Sequence, residues 1–174
     1  GATVYVTGRT VKPGISPLPG TVGETATQCD ARGGKGIAVQ VDHGDDDQVA
    51  ALFEQLEREQ GRLDILVNNA FSLPDDLTNP DPFWEKPLSN WQMIDVGVRS
   101  NFVAAWHAAR IMAPRKSGLI DATSGYTGVS YTYAVLFGTA KSAVDRMARD
   151  MAIELKPYNI VSISLWQGLT RPEL

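Results

Sequence analysis

Short runs of aliphatic and β-branched residues alternate along the chain with longer segments in which apolar residues recur at helical spacing. The short runs predict β-strands at residues 2–7, 37–41, 63–67, 119–123 and 160–165. The longer segments predict helices at residues 21–32, 45–60, 89–112 and 132–155, with Asp45 and Ser89 as the N-caps of two of them. Strands of about five residues separated by helices of about twelve or more are typical of βαβ units with a parallel sheet.

The predicted fold class is therefore α/β: a Rossmann-like, doubly wound parallel sheet with helices on both faces, in three layers. A chain of 174 residues, 43% of them apolar, is sufficient for one core, so we expect a single domain over residues 1–174. The chain begins directly on the first strand-like run and ends at Leu174 without a further predicted element. We therefore expect this domain to be partial, incomplete at both ends.

Charge and cysteine content limit the classes of partner. The chain carries 16 basic and 20 acidic residues, a formal charge of −4, and has no run of Lys or Arg, so we expect no nucleic-acid or polybasic membrane surface. The single cysteine, Cys29, excludes a disulfide within the chain and fits a reducing cytoplasm. The acidic run at residues 45–47 lies where a helix should begin and favours the helix dipole, so we predict no metal site.

Ser124, Phe137 and Lys141 have a spacing that suggests chemistry: Ser, twelve residues, an aromatic residue, three residues, then Lys. Positions 137 and 141 are one turn apart on a predicted helix, so their side chains share a face. Ser124 ends a predicted strand at its carboxyl edge, where ligands bind in open α/β sheets. These three residues are the candidate catalytic group.

Further motifs accompany this group in order along the chain. They are Asp42 after the second predicted strand, the turn Asn68-Asn69-Ala70 after the third, Trp91 ahead of the helical segment around Gly97, and Trp166-Gln167-Gly168 after the last. Together the motifs resemble the classical short-chain dehydrogenases/reductases over nearly the whole chain. The resemblance implies hydride transfer between a nicotinamide cofactor and a small-molecule carbonyl or alcohol, in a homodimer or homotetramer.

The resemblance also implies roles for individual positions. Ser124 would orient the substrate oxygen, and Lys141 would bond the nicotinamide ribose and supply positive charge. Position 137 would be the proton donor, as Tyr is in the family, but Phe137 has no dissociable proton. Cofactor-binding positions are implied at Asp42, Asn69, Ala70, Lys141 and Gly168. Arg9, after the first strand, would pair with the 2′-phosphate of NADP, so NADP is expected and NAD stays possible.

Several departures from the family pattern accompany Phe137. Gly97 stands where the family has an Asn, Gln167 replaces a proline, and Asp121 places a carboxylate in a strand that should be buried. The segment before Ser124 is also one residue short, which bears on the face that Ser124 occupies. The family's glycine-rich phosphate turn is not found in residues 1–174, and we expect it upstream.

These departures predict impaired activity for this chain. Tyr126, Tyr131 and Tyr133 lie near the site and would either replace the missing acid or shape the pocket. The alternative function is a non-catalytic relative that binds a nucleotide or a protein partner, and a flavodoxin-like binding domain ranks after it. The loop at residues 71–88, with four prolines, would either line a substrate entrance or cover the sheet edge.

Overall fold

A computed structural model describes residues 1–14 and 19–168. Its strands are β1 (Thr3–Gly8), β2 (Lys35–Gln40), β3 (Ile65–Asn68), β4 (Gly118–Ser124) and β5 (Ile160–Trp166). Its α-helices are α1 (Val22–Ala31), α2 (Asp46–Gln60), α3 (Gln92–Ile94), α4 (Ser100–Met112) and α5 (Val135–Leu155). The α/β class and the order of strands and helices confirm the prediction from the sequence.

The described residues form two compact units, one within residues 1–52 and one within residues 53–168. In the first unit β1 pairs in parallel with β2, from Thr3 opposite Lys35 to Gly8 opposite Gln40. Thr21 caps α1, because its hydroxyl oxygen accepts the backbone N–H of Glu24 at 3.1 Å. The prediction of a single domain over the whole chain stays a prediction.

The second unit contains a parallel sheet in the order β3-β4-β5, with β4 in the centre. Helices α4 and α5 cover one face of this sheet. The side-chain amide of Asn68 on β3 donates to the carbonyl of Asn101 on α4, and Ser124 on β4 donates to the carbonyl of Lys141 on α5. The core between sheet and helices is built largely of small and aliphatic residues: Ala104, Ala108, Met112, Ile120, Ala122, Ala140, Val144, Ala148 and Ile160.

The predicted helix over residues 89–112 is not continuous. A 3₁₀ turn (Leu88–Trp91) and α3 precede a π-helical turn (Asp95–Arg99), and only then does α4 begin. The prediction that Ser89 caps the helix was wrong, because the turn begins one residue earlier, after Pro87, with no side-chain cap. The side chains of Ser100 and Asn101 donate to carbonyls four residues earlier, which is typical of a distorted helix.

The helix predicted from residue 132 begins at Val135 instead. Tyr133 has a left-handed backbone with φ of 67°, and Ala134 after it is extended, so neither residue continues a helix toward its N-terminus. Among the described residues, no helix is both long and apolar enough to cross a bilayer. Within the same residues, no cluster of His, Cys, Asp and Glu has the arrangement of a metal site.

Candidate functional site

The carboxyl ends of β3 and β4 bring the predicted Asn68-Asn69 turn next to the end of β4. The Thr123 hydroxyl lies 2.8 Å from the carbonyl oxygen of Asn68 and 2.7 Å from Oδ1 of Asn69. One hydroxyl proton can serve only one of these acceptors at a time. Thr123 therefore ties the two strand ends together at the edge where ligands bind in parallel sheets.

Lys141 projects from α5 toward this edge. Its ammonium nitrogen donates to the carbonyl oxygen of Thr123 at 3.0 Å. The hydroxyl of Ser124, only 4% exposed, donates to the carbonyl oxygen of Lys141 at 3.3 Å. The structure thus brings Ser124 and Lys141 together, but the serine hydroxyl contacts the main chain of the lysine and not its ammonium group.

Aromatic rings surround the Lys141 ammonium. The nitrogen lies 4.5 Å from the ring centre of Phe71 and 5.9 Å from that of Phe137. The Phe71 and Phe137 rings meet edge to face, with centres 5.5 Å apart. Tyr133 also meets the Phe137 ring edge to face, with ring centres 5.7 Å apart. The predicted catalytic position 137 is therefore part of an aromatic cluster, which we call the Phe71 cluster: Phe71, Tyr133, Phe137 and the Lys141 ammonium.

Burial lowers the pKa of Lys141, and the nearby carboxylate of Asp145 opposes this effect in part. Asp145 is itself held in place, because its Oδ1 accepts the indole N–H of Trp166 at 2.9 Å. A lysine held between apolar rings and one carbonyl is a positive charge directed at the sheet edge. It can bond hydroxyl or phosphate oxygens of a ligand, since an ammonium group has three donors and Thr123 uses one.

Gly97 lies beside the Phe71 cluster, buried in the π-helical turn. A Cβ atom at this position would stand 2.4 and 2.5 Å from two carbons of the Phe71 ring. The Asn that the family pattern places here is therefore sterically excluded while Phe71 keeps this position. Instead, a hydrogen-bonded chain runs from Asn68 to the carbonyl of Asn101, whose side-chain amide donates to the carbonyl of Gly97 at 3.0 Å.

Arg9 and Asp42, two of the predicted cofactor-binding residues, lie in the first unit after the carboxyl ends of β1 and β2. Arg9 and Asp42 approach each other, with a guanidinium nitrogen 3.9 Å from a carboxylate oxygen and both side chains solvent-accessible. Asp42 also accepts the backbone N–H of Gly44 at 2.9 Å. Next to them, Thr7 and His43 are within hydrogen-bond distance, and burial lowers the pKa of His43.

The remaining predicted positions are more open. Asn69 is exposed and Ala70 is half-buried at the end of β3. A Cβ atom at Gly168 would meet no atom within 4 Å. Tyr126 and Tyr131, proposed as replacement acids, are 67% and 78% exposed. Tyr133, the third tyrosine, is the one whose ring meets Phe137.

The loop at residues 71–88 has its own internal structure. The Lys86 ammonium donates to the carbonyl oxygens of Asp76 at 2.7 Å and Asn79 at 3.0 Å, and the buried Asn90 amide donates to both carboxylate oxygens of Asp76. A cavity of about 420 Å³ lies between residues 72–76 and residues 87–93. This loop therefore lines a cavity of its own, and its first residue, Phe71, contacts the site.

Phe71, Thr123 and Asn101 are site residues that the sequence analysis did not identify. Phe71 follows the Asn68-Asn69-Ala70 turn directly, so its place in the chain put it near the site. Gly97 was the one indication of this arrangement in the sequence, because a residue without a side chain leaves room for a larger neighbour. Which neighbour uses that room cannot be read from local sequence.

Comparison with known proteins gives a consistent picture. A sequence model of the family described as short chain dehydrogenase matches residues 4–174. Mouse "Dehydrogenase/reductase SDR family member 1" is 39% identical over 178 residues, which cover 100% of this chain and 54% of that protein. The chain spans about half the length of the curated relatives it matches.

Solved structures agree with the sequence comparison. A Tyr-to-Phe variant of ElxO with NADPH bound is similar at 29% identity and a TM-score of 0.71, covering 79% of this chain and 54% of that one. A metagenomic short-chain oxidoreductase in complex with NADP superposes with a TM-score of 0.81 at 23% identity, covering 94% and 71%. The second likeness bears on the fold alone.

Proposed function

Because the chain belongs to the short-chain dehydrogenase family, we propose that it carries part of the active site of an NADP-dependent oxidoreductase. The reaction is hydride transfer between the nicotinamide and a small-molecule carbonyl or alcohol. The nicotinamide, when bound, supplies or accepts the hydride. The observation that carries this proposal is the position of Lys141, whose ammonium is held against the Thr123 carbonyl at the carboxyl edge of the sheet.

Lys141 is suited to bond the ribose hydroxyls of the cofactor. Its charge lies at the sheet edge, and two of its three N–H donors remain after the bond to Thr123 is counted. Ser124 is the residue proposed to orient the substrate oxygen. Its hydroxyl now donates to the Lys141 carbonyl, so it must rotate away from that carbonyl to reach a substrate.

Phe137 cannot donate a proton, so we propose that the activity of this chain is reduced. A positioned general acid typically contributes about 10²–10⁴-fold to the rate. Tyr133 contacts the Phe137 ring, with the two ring centres 5.7 Å apart, and the Lys141 ammonium lies 5.9 Å from the same Phe137 ring centre.

NADP is the proposed form of the cofactor. Arg9 is exposed and pairs with Asp42 only at 3.9 Å, so a phosphate can compete for the guanidinium with two parallel hydrogen bonds. Relatives in this fold class bind NADP or NADPH, among them the Tyr-to-Phe variant of ElxO.

A second candidate function is a non-catalytic relative that binds a nucleotide or a protein partner. The Phe71 cluster favours it, because apolar rings stand where the family pattern places a phenol and an Asn. Assembly into homodimers or homotetramers stays a prediction for either function.

Exchanging the ring at position 137 separates these functions. We expect Phe137→Tyr to raise the rate of NADPH-dependent carbonyl reduction by about 10²–10⁴-fold, because it restores the general acid. The measurement is NADPH oxidation over a panel of aldehydes and ketones.

The matched control is Phe102→Tyr, which adds the same hydroxyl to an exposed residue of α4. It should leave the rate unchanged. Reduction by the Phe137 protein at the rate of the Tyr variant would show that position 137 is not the acid. NADPH binding without turnover by the Tyr variant would favour the non-catalytic function.

A further inference from the structure

Phe71 and Gly97 form a matched pair beside Lys141. The Phe71 ring occupies the space that any side chain at position 97 would need, because a Cβ there would lie 2.4 Å from Cε2 of the ring. Real Cβ atoms do not approach ring carbons so closely, so a larger residue at 97 must displace the ring. The place of Phe71 therefore depends on Gly97.

The face of the Phe71 ring is turned toward a charge. Its centre lies 4.5 Å from the Lys141 ammonium, which is closer than Phe137 at 5.9 Å. Aromatic faces attract ammonium groups at such distances. Phe137 supports this arrangement from the side, with its ring edge to face against Phe71.

We propose that Phe71 is a positioning residue for Lys141: its ring holds the ammonium against the Thr123 carbonyl, in the space that Gly97 leaves. Phe137 cannot place a hydroxyl beside the ammonium, and the aromatic face of Phe71 supplies the attraction from another direction. This inference deepens the proposed function, and only its NADPH-binding test rests on that function. It assigns a role to the first residue of the 71–88 loop.

Two opposing effects act on the pKa of Lys141, so the direction in which that pKa shifts in a variant tests the proposal. Burial by the surrounding rings disfavours the charged form, whereas the face of an aromatic ring favours it. Phe71→Leu keeps most of the burial and removes the aromatic face, so the pKa of Lys141 should fall further. Phe71→Ala admits water, so the pKa should rise toward the ordinary lysine value. Asp145 on the same helix and the phenol of Tyr133 are unchanged in both variants.

The first experiment follows the six lysines of the chain by ¹³Cε NMR during a pH titration. The Lys141 signal is assigned by its loss in Lys141→Arg. We expect opposite shifts of its midpoint in the Leu and Ala variants, and a midpoint close to that of the parent in Phe71→Tyr. Phe83→Leu, which removes an exposed ring of the same loop, is the matched control and should move nothing. Shifts of the same sign, or none, would overturn the proposal.

The second experiment tests the dependence on Gly97. Gly97→Ala should lower the melting temperature of the parent and move the Lys141 titration, because the new methyl group displaces the ring. In the Phe71→Ala background the same change should raise the melting temperature, because Ala is the better helix former. Equal effects of Gly97→Ala in the two backgrounds would refute the matched pair.

NADPH affinity separates this inference from the proposed function. Phe71→Leu should weaken NADPH binding by roughly two- to thirtyfold if the ring positions Lys141. If the pKa of Lys141 shifts as expected in the Phe71 variants but the protein binds no NADPH, the positioning role stands and the proposed function is contradicted. If Phe71→Leu changes neither NADPH binding nor the titration of Lys141, the positioning role of Phe71 is overturned and the proposed function stands.

Discussion

Asp121 is a carboxylate in the central strand β4, opposite Val67 on β3 and Ile163 on β5. It is 9% exposed, and among the described residues its Oδ1 has no hydrogen-bond partner. Burial raises its pKa above the 3.8 of an exposed aspartate. Between pH 3.8 and the raised value, the folded chain binds more protons than the unfolded chain. The free energy of unfolding therefore falls as the pH rises through this window and stays reduced at neutral pH.

We expect Asp121→Asn to increase the free energy of unfolding at pH 7 by about 1–3 kcal/mol, because it removes a buried charge without a full set of partners. The gain should shrink as the pH falls through the raised pKa of Asp121, and it should level off below pH 3.8, where the parent carboxyl is protonated in both states. Urea unfolding from about pH 3 to pH 7 measures both effects. Asp81→Asn is the control, because Asp81 is exposed in the loop. A gain that is constant with pH would contradict this account of Asp121.

At the scale of elements, helix α1 and strand β2 approach closely at Gly36. A Cβ atom at Gly36 would stand 2.1 Å from the carbonyl oxygen of Ala26 and 2.5 Å from its carbonyl carbon. Main-chain atoms of a helix cannot move aside as a flexible side chain can. The absence of a side chain at Gly36 therefore sets the distance between α1 and β2.

Gly36→Ala should destabilise the protein by about 1–3 kcal/mol, as expected of overpacking. Gly23→Ala is the matched control on α1 itself, where the added methyl group meets only the Thr21 hydroxyl, at 3.9 Å. The control should stabilise by up to about 1 kcal/mol through helix propensity. Thermal unfolding and amide exchange in β1 and β2 report the two effects. Similar melting temperatures for both variants would show that α1 can move away from β2 without loss of stability.

At the scale of the whole molecule, the face of the β3-β4-β5 sheet opposite helices α4 and α5 carries exposed aliphatic side chains around the Asp121 carboxylate. Helices α4 and α5 contact the other face, which holds Asn68 and Ser124. The open face carries aliphatic residues that are 40–58% exposed: Ile65, Val67, Val161, Ile163 and Leu165. Contiguous apolar surface of this kind marks an interaction or aggregation site. It is the part of the molecule from which we expect self-association.

We expect Val161→Thr to reduce concentration-dependent association and the fluorescence of bound ANS, with little change in stability, because Thr is an equally good strand former. Ile160→Thr is the matched control on the opposite face of the same strand. Ile160 is 3% exposed, so its replacement should cost about 2 kcal/mol or more. Light scattering and thermal unfolding measure the pair. Unchanged association of Val161→Thr would show that this face is not the one that self-associates.

Local sequence pattern alone determined the order of strands and helices, the α/β class and the candidate chemistry. These features depend on periodicity and on residues close together in the chain, such as Phe137 and Lys141 one helical turn apart. The departures from the family pattern at Phe137, Gly97 and Asp121 could also be identified from the sequence. The first and last residues of the elements were predicted less well. Because Tyr133 takes a left-handed backbone, α5 begins three residues later than the pattern predicts.

The tertiary structure decided which groups surround Lys141. It placed the Phe71 ring over the ammonium, showed why position 97 holds no side chain, and gave the lysine its bond to the Thr123 carbonyl. It also separated the open face of the sheet from the covered one. These contacts join residues that are far apart in the chain, and their energies come from packing, burial and ring electrostatics. A short-range pattern carries no information about them until the chain has folded.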